Sequence, residues 1–222
     1  MKKVCVVVAM VLAISSVGFA QTPSTSAPTL KPAAPSMAQK FRASKLLGTN
    51  VKNAAGETIG EIKDLVLLRD NEVLQAVISV GGFLGIGDKL VTVPYDKLQV
   101  QRVDDNVQVM YNATKAELEG LPKFLDAETE RDHLTLRARD LIGADVKNAN
   151  DDTIGEVDDL LVTAAETVPQ VIVSVGGFLG IGEKLVALPF NTLVIRSADD
   201  KDQVMYNATA EDLKALPAFQ YN

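Results

Sequence analysis

The sequence predicts a mainly β protein made of two tandem small six-stranded β-barrels, each closed by a short C-terminal helix. Three observations lead to this fold class: a long segment occurs twice, short alternating apolar patterns recur in each copy, and glycines interrupt the strands. Closing several short strands into a barrel removes exposed sheet edges, which favours a barrel over an open sheet.

The repeat is the strongest signal in the chain. The stretch SVGGFLGIG occupies residues 79–87 and again 174–182, a shift of 95 residues, with no insertion or deletion between the two copies. About half of the aligned positions are identical, far above chance for self-similarity. The 222 residues therefore predict two domains of roughly 80 residues, a size at which a single core suffices.

Residues 1–20 predict a secretory signal peptide. Lys2 and Lys3 precede an apolar run, and Gly18-Phe19-Ala20 forms a small-x-small cleavage site. The run is shorter than the roughly 20 residues of a spanning helix, so we expect no stable membrane insertion after cleavage. The expected location is the periplasm. Cleavage removes Cys5, the only cysteine, which excludes disulfides and thiolate sites in the mature chain.

Composition and the repeat together predict the domain boundaries. Pro, Ser, Thr and Ala dominate residues 21–42, as in a flexible tether. The first barrel is expected at 43–124, a charged link at 125–136 and the second barrel at 137–222.

Strand patterns follow in the same order in both copies. A short strand is expected from Leu46 to Val51, then a long one from Thr58 to Leu68 with Gly60 at a bulge or bend. The next strand alternates clearly, but its outer face also carries Val77, and Ile172 in the second copy. An apolar residue on both faces indicates that the outer face is covered as well. We therefore expect the two barrels to pack as a pseudo-twofold pair.

Each copy ends in a helix signal. Thr114 and Glu117 have the Thr-x-x-Glu spacing of a capping box, and Thr209 with Asp212 repeats it in a less favourable form. Pro122 then ends the first helix.

These motifs resemble the PRC-barrel family, named after the photosynthetic reaction centre H subunit and including the ribosome maturation factor RimM. The resemblance rests on the motifs GEIKDL at 60–65, VGGFLGIGDK at 80–89 and VPY at 93–95. It implies a six-stranded barrel that docks to other proteins. The chain has neither the retained membrane helix of the first relative nor the N-terminal domain of the second, so only the fold and the adaptor character are carried over.

Composition and motifs argue against several classes of chemistry. The net charge of −7, without a basic run, disfavours nucleic acid as a partner. In GFLGIGDK, an acidic residue separates glycine from lysine and a strand is expected next, unlike a phosphate loop. Glu61 with Asp64, and Glu156 with Asp158 and Asp159, lack a calcium-loop pattern, so we interpret them as solvated strand faces or partners of lysines. His133 is the only histidine. The sequence predicts no catalytic residue, no cofactor and no metal site.

The apolar residues of the repeated glycine-rich hairpin are the candidate docking residues. Hairpin tips are normally polar, whereas these are large and apolar: Phe83, Leu84, Ile86, Phe178, Leu179 and Ile181. They either fold over the barrel end and complete its core, or they form a docking surface.

The sequence thus predicts an exported, non-enzymatic interaction or scaffold module of the bacterial cell envelope with an unidentified protein partner. The alternative is a binding protein for a small apolar or tetrapyrrole-like ligand held between the barrels, which would need a large cavity there.

Overall fold

The computed structural model describes residues 39–68, 73–83, 86–124, 135–163, 169–176, 182–198 and 201–221. The signal peptide and most of the predicted tether lie outside these residues. In the first module the elements are β1 (Phe41–Arg42), α1 (Ala43–Leu46), β2 (Asn50–Lys52), β3 (Thr58–Leu68), β4 (Val73–Phe83), β5 (Ile86–Pro94), a 3₁₀ turn (Tyr95–Lys97), β6 (Gln99–Val103), β7 (Asn106–Met110) and α2 (Lys115–Gly120).

The second module repeats the same order of elements. They are β8 (Thr135–Arg137), α3 (Ala138–Leu141), β9 (Asp145–Lys147), β10 (Thr153–Val162), β11 (Gln170–Val175), β12 (Lys184–Pro189), a 3₁₀ turn (Phe190–Thr192), β13 (Val194–Ala198), β14 (Lys201–Met205) and α4 (Ala210–Ala215). The prediction of a mainly β chain with two tandem modules is confirmed.

The described strands form two seven-stranded sheets. Their orders are β5-β4-β3-β2-β7-β6 with β8 added to β3, and β12-β11-β10-β9-β14-β13 with β1 added to β10. Neighbouring strands are antiparallel, except that β2 runs parallel to β7 and β9 parallel to β14.

The seventh strand of each sheet comes from the other module. Phe41 pairs with Val162 and Arg42 with Leu161, while Leu136 pairs with Leu67 and Arg137 with Val66. These two registers are equivalent under the 95-residue shift, so the modules exchange strands reciprocally. Each sheet thus contains six of the seven strands of its own module and one strand of its neighbour. The predicted count of six per sheet is wrong for this reason.

The exchanged strands lie in segments whose composition predicted a tether and a link. β1 occupies the last two residues of the predicted tether, and β8 begins inside the predicted link. Strand β3 explains why they pair there. Strand β3 has eleven residues, whereas β2 has three. Strand β2 therefore covers only the first part of the β3 edge, from Thr58 to Glu61. Ile62 is paired with Gly48 and Thr49, and β8 supplies backbone partners for the last three residues of the strand, Val66 to Leu68.

The hydrophobic core is continuous through both modules. Phe41 and Leu136 belong to it, each buried in the module that receives its strand. Four further apolar residues are buried but lie outside this core cluster: Val66, Val77, Leu161 and Ile172. They form two equivalent pairs on the outer faces of the long strands, where α3 contacts β3 and α1 contacts β10. Val77 and Ile172 are thus buried on the outer face, as the sequence pattern predicts.

The terminal helices form as their capping boxes predict. Thr114 and Glu117 satisfy each other's backbone amides at α2, and Thr209 and Asp212 do the same at α4. Leu118 and Leu213 are the buried residues of these helices. One local prediction is wrong: Leu46 ends the short helix α1 instead of starting a strand. Its side chain is fully buried, so tertiary packing overrides the local β pattern.

Two glycines permit close strand contact in the long hairpins. A Cβ on Gly60 would lie 2.5 Å from Ile78 Cγ2 and 2.7 Å from the Ser79 carbonyl oxygen, and one on Gly155 would lie 2.7 Å from the Ser174 carbonyl oxygen. The pairing register shifts beside each glycine, as predicted for a bulge.

We predict that Gly60→Ala destabilises the protein by about 1–3 kcal/mol, because backbone must move to admit the methyl group. Gly120→Ala is the matched control, since its Cβ would meet no atom within 4 Å, and it should be neutral or slightly stabilising. Urea unfolding of both variants measures the difference. Equal stability of the two variants would contradict this account.

We also predict that each module produced alone, as residues 38–124 or 134–222, dimerises or loses stability. A single module has an uncovered edge on its long strand and a strand of its own with no acceptor, so two copies can satisfy each other. Sedimentation velocity and thermal melts test this. Two monomeric modules that melt as they do in the full chain would show that the exchange is dispensable.

Candidate functional site

The predicted docking residues lie mostly outside the described part of the chain. Backbone pairing of Phe83 with Ile86 places these two residues at the end of the β4–β5 hairpin, but their side chains are not among those described. Leu84, Phe178, Leu179 and Ile181 also lie outside. The docking interpretation of these six residues stays a prediction.

The base of each hairpin is described and has the geometry that its glycines predict. Gly81, Gly87, Gly176 and Gly182 all have φ between 72° and 78°, a region that favours glycine. A strand, β5, includes Gly87 and continues to Pro94, where a phosphate loop would open a helix. The Ser79 hydroxyl donates to Asp88, and this hydrogen bond holds the pKa of that carboxyl below its ordinary value.

Two buried aspartates at the module interface each bind groups of the other module, and the sequence interpretation missed both sites. Asp64 and Asp159 are equivalent under the repeat, and their side chains are 2% and 0% exposed. Each follows a bulge, where Lys63 or Asp158 has no partner in the register with the next strand. The extra residue turns each aspartate to the outer face, toward the other module, while Leu65 and Leu160 stay in the core. The prediction that these carboxylates are solvated or paired with lysines is wrong for Asp64 and Asp159, whose partners are arginines.

Asp159 accepts four hydrogen bonds, and three of the donors belong to the arm that contains the exchanged strand β1, residues Lys40 to Ser44. Arg42 Nε donates to Oδ2 at 2.6 Å, the Ser44 amide donates to Oδ1 at 3.1 Å, and the Ser44 hydroxyl donates to Oδ2 at 2.5 Å. The amide of Leu160 completes the set at 2.8 Å. Arg42 and Ser44 belong to the first module, so this carboxylate fastens the first module to the second.

Arg42 also lies over an aromatic ring at the end of the chain. Its guanidinium carbon is 3.8 Å from the centroid of Tyr221, in range of a cation–π interaction. The Tyr221 hydroxyl donates to Asp158, whose Oδ2 lies 3.7 Å from Arg42 Nη2. Phe219 packs edge-on against Tyr221, with ring centroids 5.1 Å apart. The last described residues therefore close one side of the arginine site.

Asp64 has a different set of partners. Arg139 Nε of the second module lies 2.8 Å from its Oδ2, yet this oxygen accepts no well-directed hydrogen bond. Oδ1 accepts from the Leu65 amide at 2.9 Å and, weakly, from the Arg139 amide at 3.4 Å. Burial raises the pKa of Asp64 to about 6, against the opposing charge of Arg139. Arg139 corresponds in the repeat to Ser44, so the arginine that pairs with the aspartate stands at different positions in the two copies. We call each aspartate with its arginine, Asp64 with Arg139 and Asp159 with Arg42, a latch.

A small cavity opens beside Asp64. Its volume is about 190 Å³, and its lining combines charged and apolar groups: Lys63, Asp64, Val77, Asp88, Leu90, Phe124 and Arg139. Pockets for drug-sized ligands are usually about 300–1,000 Å³. This cavity is too small and too charged to favour a tetrapyrrole.

A comparison with protein-family models matches the PRC-barrel domain twice, at residues 38–115 and 134–213. The chain belongs to the PRC-barrel family. The resemblance found from the motifs is thereby confirmed, and both matches begin early enough to include the exchanged strands. No curated protein matches the chain.

None of the described helices of this tandem PRC-barrel protein is long and apolar enough to cross a membrane. The described residues bring together no group of three or more histidine, cysteine, aspartate or glutamate side chains suited to holding a metal ion.

We predict that Asp64 makes stability fall as pH rises from about 4 to about 7. Its pKa rises from 3.8 to about 6 on folding, so the folded state retains the proton more tightly. The stabilisation is fully present below pH 3.8 and is lost as pH rises through 6, by up to about 3 kcal/mol. Asp64→Asn should flatten the decline, whereas the exposed control Asp104→Asn should follow the wild type. Chemical unfolding across this pH range is the measurement, and parallel profiles for all three proteins would refute the assignment.

Proposed function

We propose that this protein is an exported, non-enzymatic interaction scaffold of the bacterial cell envelope, built from two PRC-barrels. The observation that carries the proposal is the double strand exchange. Each module receives a short extended segment of another module along the free edge of its long strand, in the same register both times. A module that completes its sheet with a foreign segment is suited to protein association.

The chemistry of the most buried carboxylates agrees with a role in association. Asp64 and Asp159 contact arginines of the neighbouring module, and the Ser44 hydroxyl beside Asp159 is engaged as a donor to that carboxylate. An acid–base or nucleophilic role needs a carboxylate near the reacting group, and here the arginines occupy that position. We take these groups as structural and the protein as non-enzymatic.

The finer features of the proposal come from the sequence. Residues 1–20 are the proposed export signal, so the periplasm is the proposed location and a protein of the cell envelope the proposed partner. Closure of each seven-stranded sheet into a barrel is part of the proposal as well, since it would leave the glycine-rich hairpins at one end of each module.

We predict that replacing Phe83, Leu84 and Ile86 together by Ser separates the two interpretations of the hairpin. If the residues complete the core, burial of about 1.5–3 kcal/mol per side chain is lost and stability falls by several kcal/mol. If they form the docking surface, stability hardly changes while partner capture is lost. We expect a mixed result, with Phe83 contributing to the core and Leu84 and Ile86 to the docking surface, so that partner capture is lost and stability falls by about the share of one side chain. Urea unfolding and crosslinking of the full chain in intact cells measure the two effects.

The same replacement at Phe178, Leu179 and Ile181 tests the second hairpin. Val103→Ser is the control, because it replaces an exposed apolar side chain by a hydroxyl outside both glycine-rich hairpins. A crosslinked partner that survives both triple replacements would place the docking surface elsewhere.

A further inference from the structure

The groove on the second module that holds the N-terminal arm recognises a short sequence in detail. The arm comprises Lys40 to Ser44, and three of its side chains each contact a different part of the groove. Phe41 is 4% exposed within the core of the second module. Arg42 enters the site formed by Asp158, Asp159 and Tyr221, and Ser44 donates twice to Asp159.

Further contacts fix the position of the arm along the groove. Lys40 Nζ donates to the side chain of Gln170 at 3.1 Å, and Ala43 is fully buried, which leaves no room for a larger residue. Backbone pairing with Leu161 and Val162 sets the register. The groove therefore selects a large apolar residue, arginine and alanine in consecutive positions.

The first module receives the same kind of segment. Leu136, Arg137 and Ala138 correspond to the arm under the repeat, and Leu136 and Ala138 are buried. Arg137 lies over Phe124, 5.8 Å from the ring centroid, as Arg42 lies over Tyr221. Each module thus receives an apolar–Arg–Ala segment along its long strand, although the buried aspartate of the first module pairs with Arg139 and not with Arg137.

The arm is attached by a short pairing. β1 contains only two residues, whereas the core strands β3 and β10 contain eleven and ten. The arginine site is also partly open, because the Arg42 side chain is 33% exposed. Another segment with the sequence large apolar–Arg–Ala can reach these groups from solvent once the arm leaves.

We propose that the edge of β10 with Asp158, Asp159 and Tyr221 is a docking site for an extended protein segment with the sequence large apolar–Arg–Ala. The chain's own arm occupies this site as an internal ligand, and a partner protein docks by taking its place through strand addition. The inference rests on the proposed scaffold function and names the chemistry of the partner segment.

The test uses a fluorescent peptide of residues 40–49 and the full mature chain. Phe41→Asp should release the arm, because a charge cannot stay in the apolar site. The peptide should bind this variant at least about tenfold more tightly than it binds the wild type, whose site is occupied. A peptide with Arg42→Ala, or a protein with Asp159→Asn added, should weaken binding about tenfold or more, as expected for loss of a hydrogen bond to a charged group.

Circular dichroism and a thermal melt establish that the variant is folded. If Phe41→Asp does not fold, Arg42→Ala, which keeps the apolar contact, replaces it in the same titration. No peptide binding to a folded arm-release variant overturns the proposal, and so does equal binding of a scrambled peptide. Self-association of the wild type that Arg42→Ala abolishes assigns the site to a second copy and also overturns it.

Competition in the envelope distinguishes this inference from the proposed function. Loss of the crosslinked partner on addition of the peptide to permeabilised cells supports both. A partner that is captured equally with and without the peptide overturns the docking site on β10 and leaves the scaffold function standing.

Discussion

The pairing of two buried aspartates with arginines from the opposite module is the interaction on which the two-module arrangement depends. A buried carboxylate without a partner destabilises a fold by several kcal/mol, and removing one member of a buried pair is correspondingly damaging. Asp159 obtains three of its four donors from the arm of the first module, and Asp64 obtains its arginine from the second. Separating the modules would leave both carboxylates without their cations, so we expect the two modules to unfold together.

The bulge that precedes each aspartate links the core of a module to its interface. Without the extra residue, strict alternation would direct Asp64 to the same face as Ile62, a core residue. With Lys63 unpaired in the register, the core continues through Leu65 and Leu67, while Asp64 and Val66 face outward. One residue thus gives each long strand an apolar inner face and an outer face built for contact with the other module.

Most of the local structure could be predicted from the sequence, because it depends on near neighbours. The capping boxes, the hairpin glycines and the bulge at Gly60 each depend on residue types within a few positions of one another, so the sequence shows them directly. The strand exchange has no such signal. Phe41 and Arg42 pair with residues about 120 positions later, and a strand of two residues shows no periodicity. The role of Asp64 was missed for the same reason, since its arginine comes from the other module.

The repeat nevertheless contained an indication of the latch. Aspartate stands at the same position in both copies, and so does an arginine in the exchanged strand. What the repeat could not reveal is that the copies have diverged in how they use these groups. The position occupied by Ser44 in one module holds Arg139 in the other, so Asp159 is enclosed by four donors whereas Asp64 keeps an oxygen without a directed hydrogen bond. Because an incompletely solvated carboxylate binds a proton more readily, the pKa of Asp64 rises toward 6. The two interfaces therefore share the buried aspartate and the bulge before it, but the copies differ at the positions of Ser44 and Arg139 and of Lys63 and Asp158, which places different charges around each carboxylate.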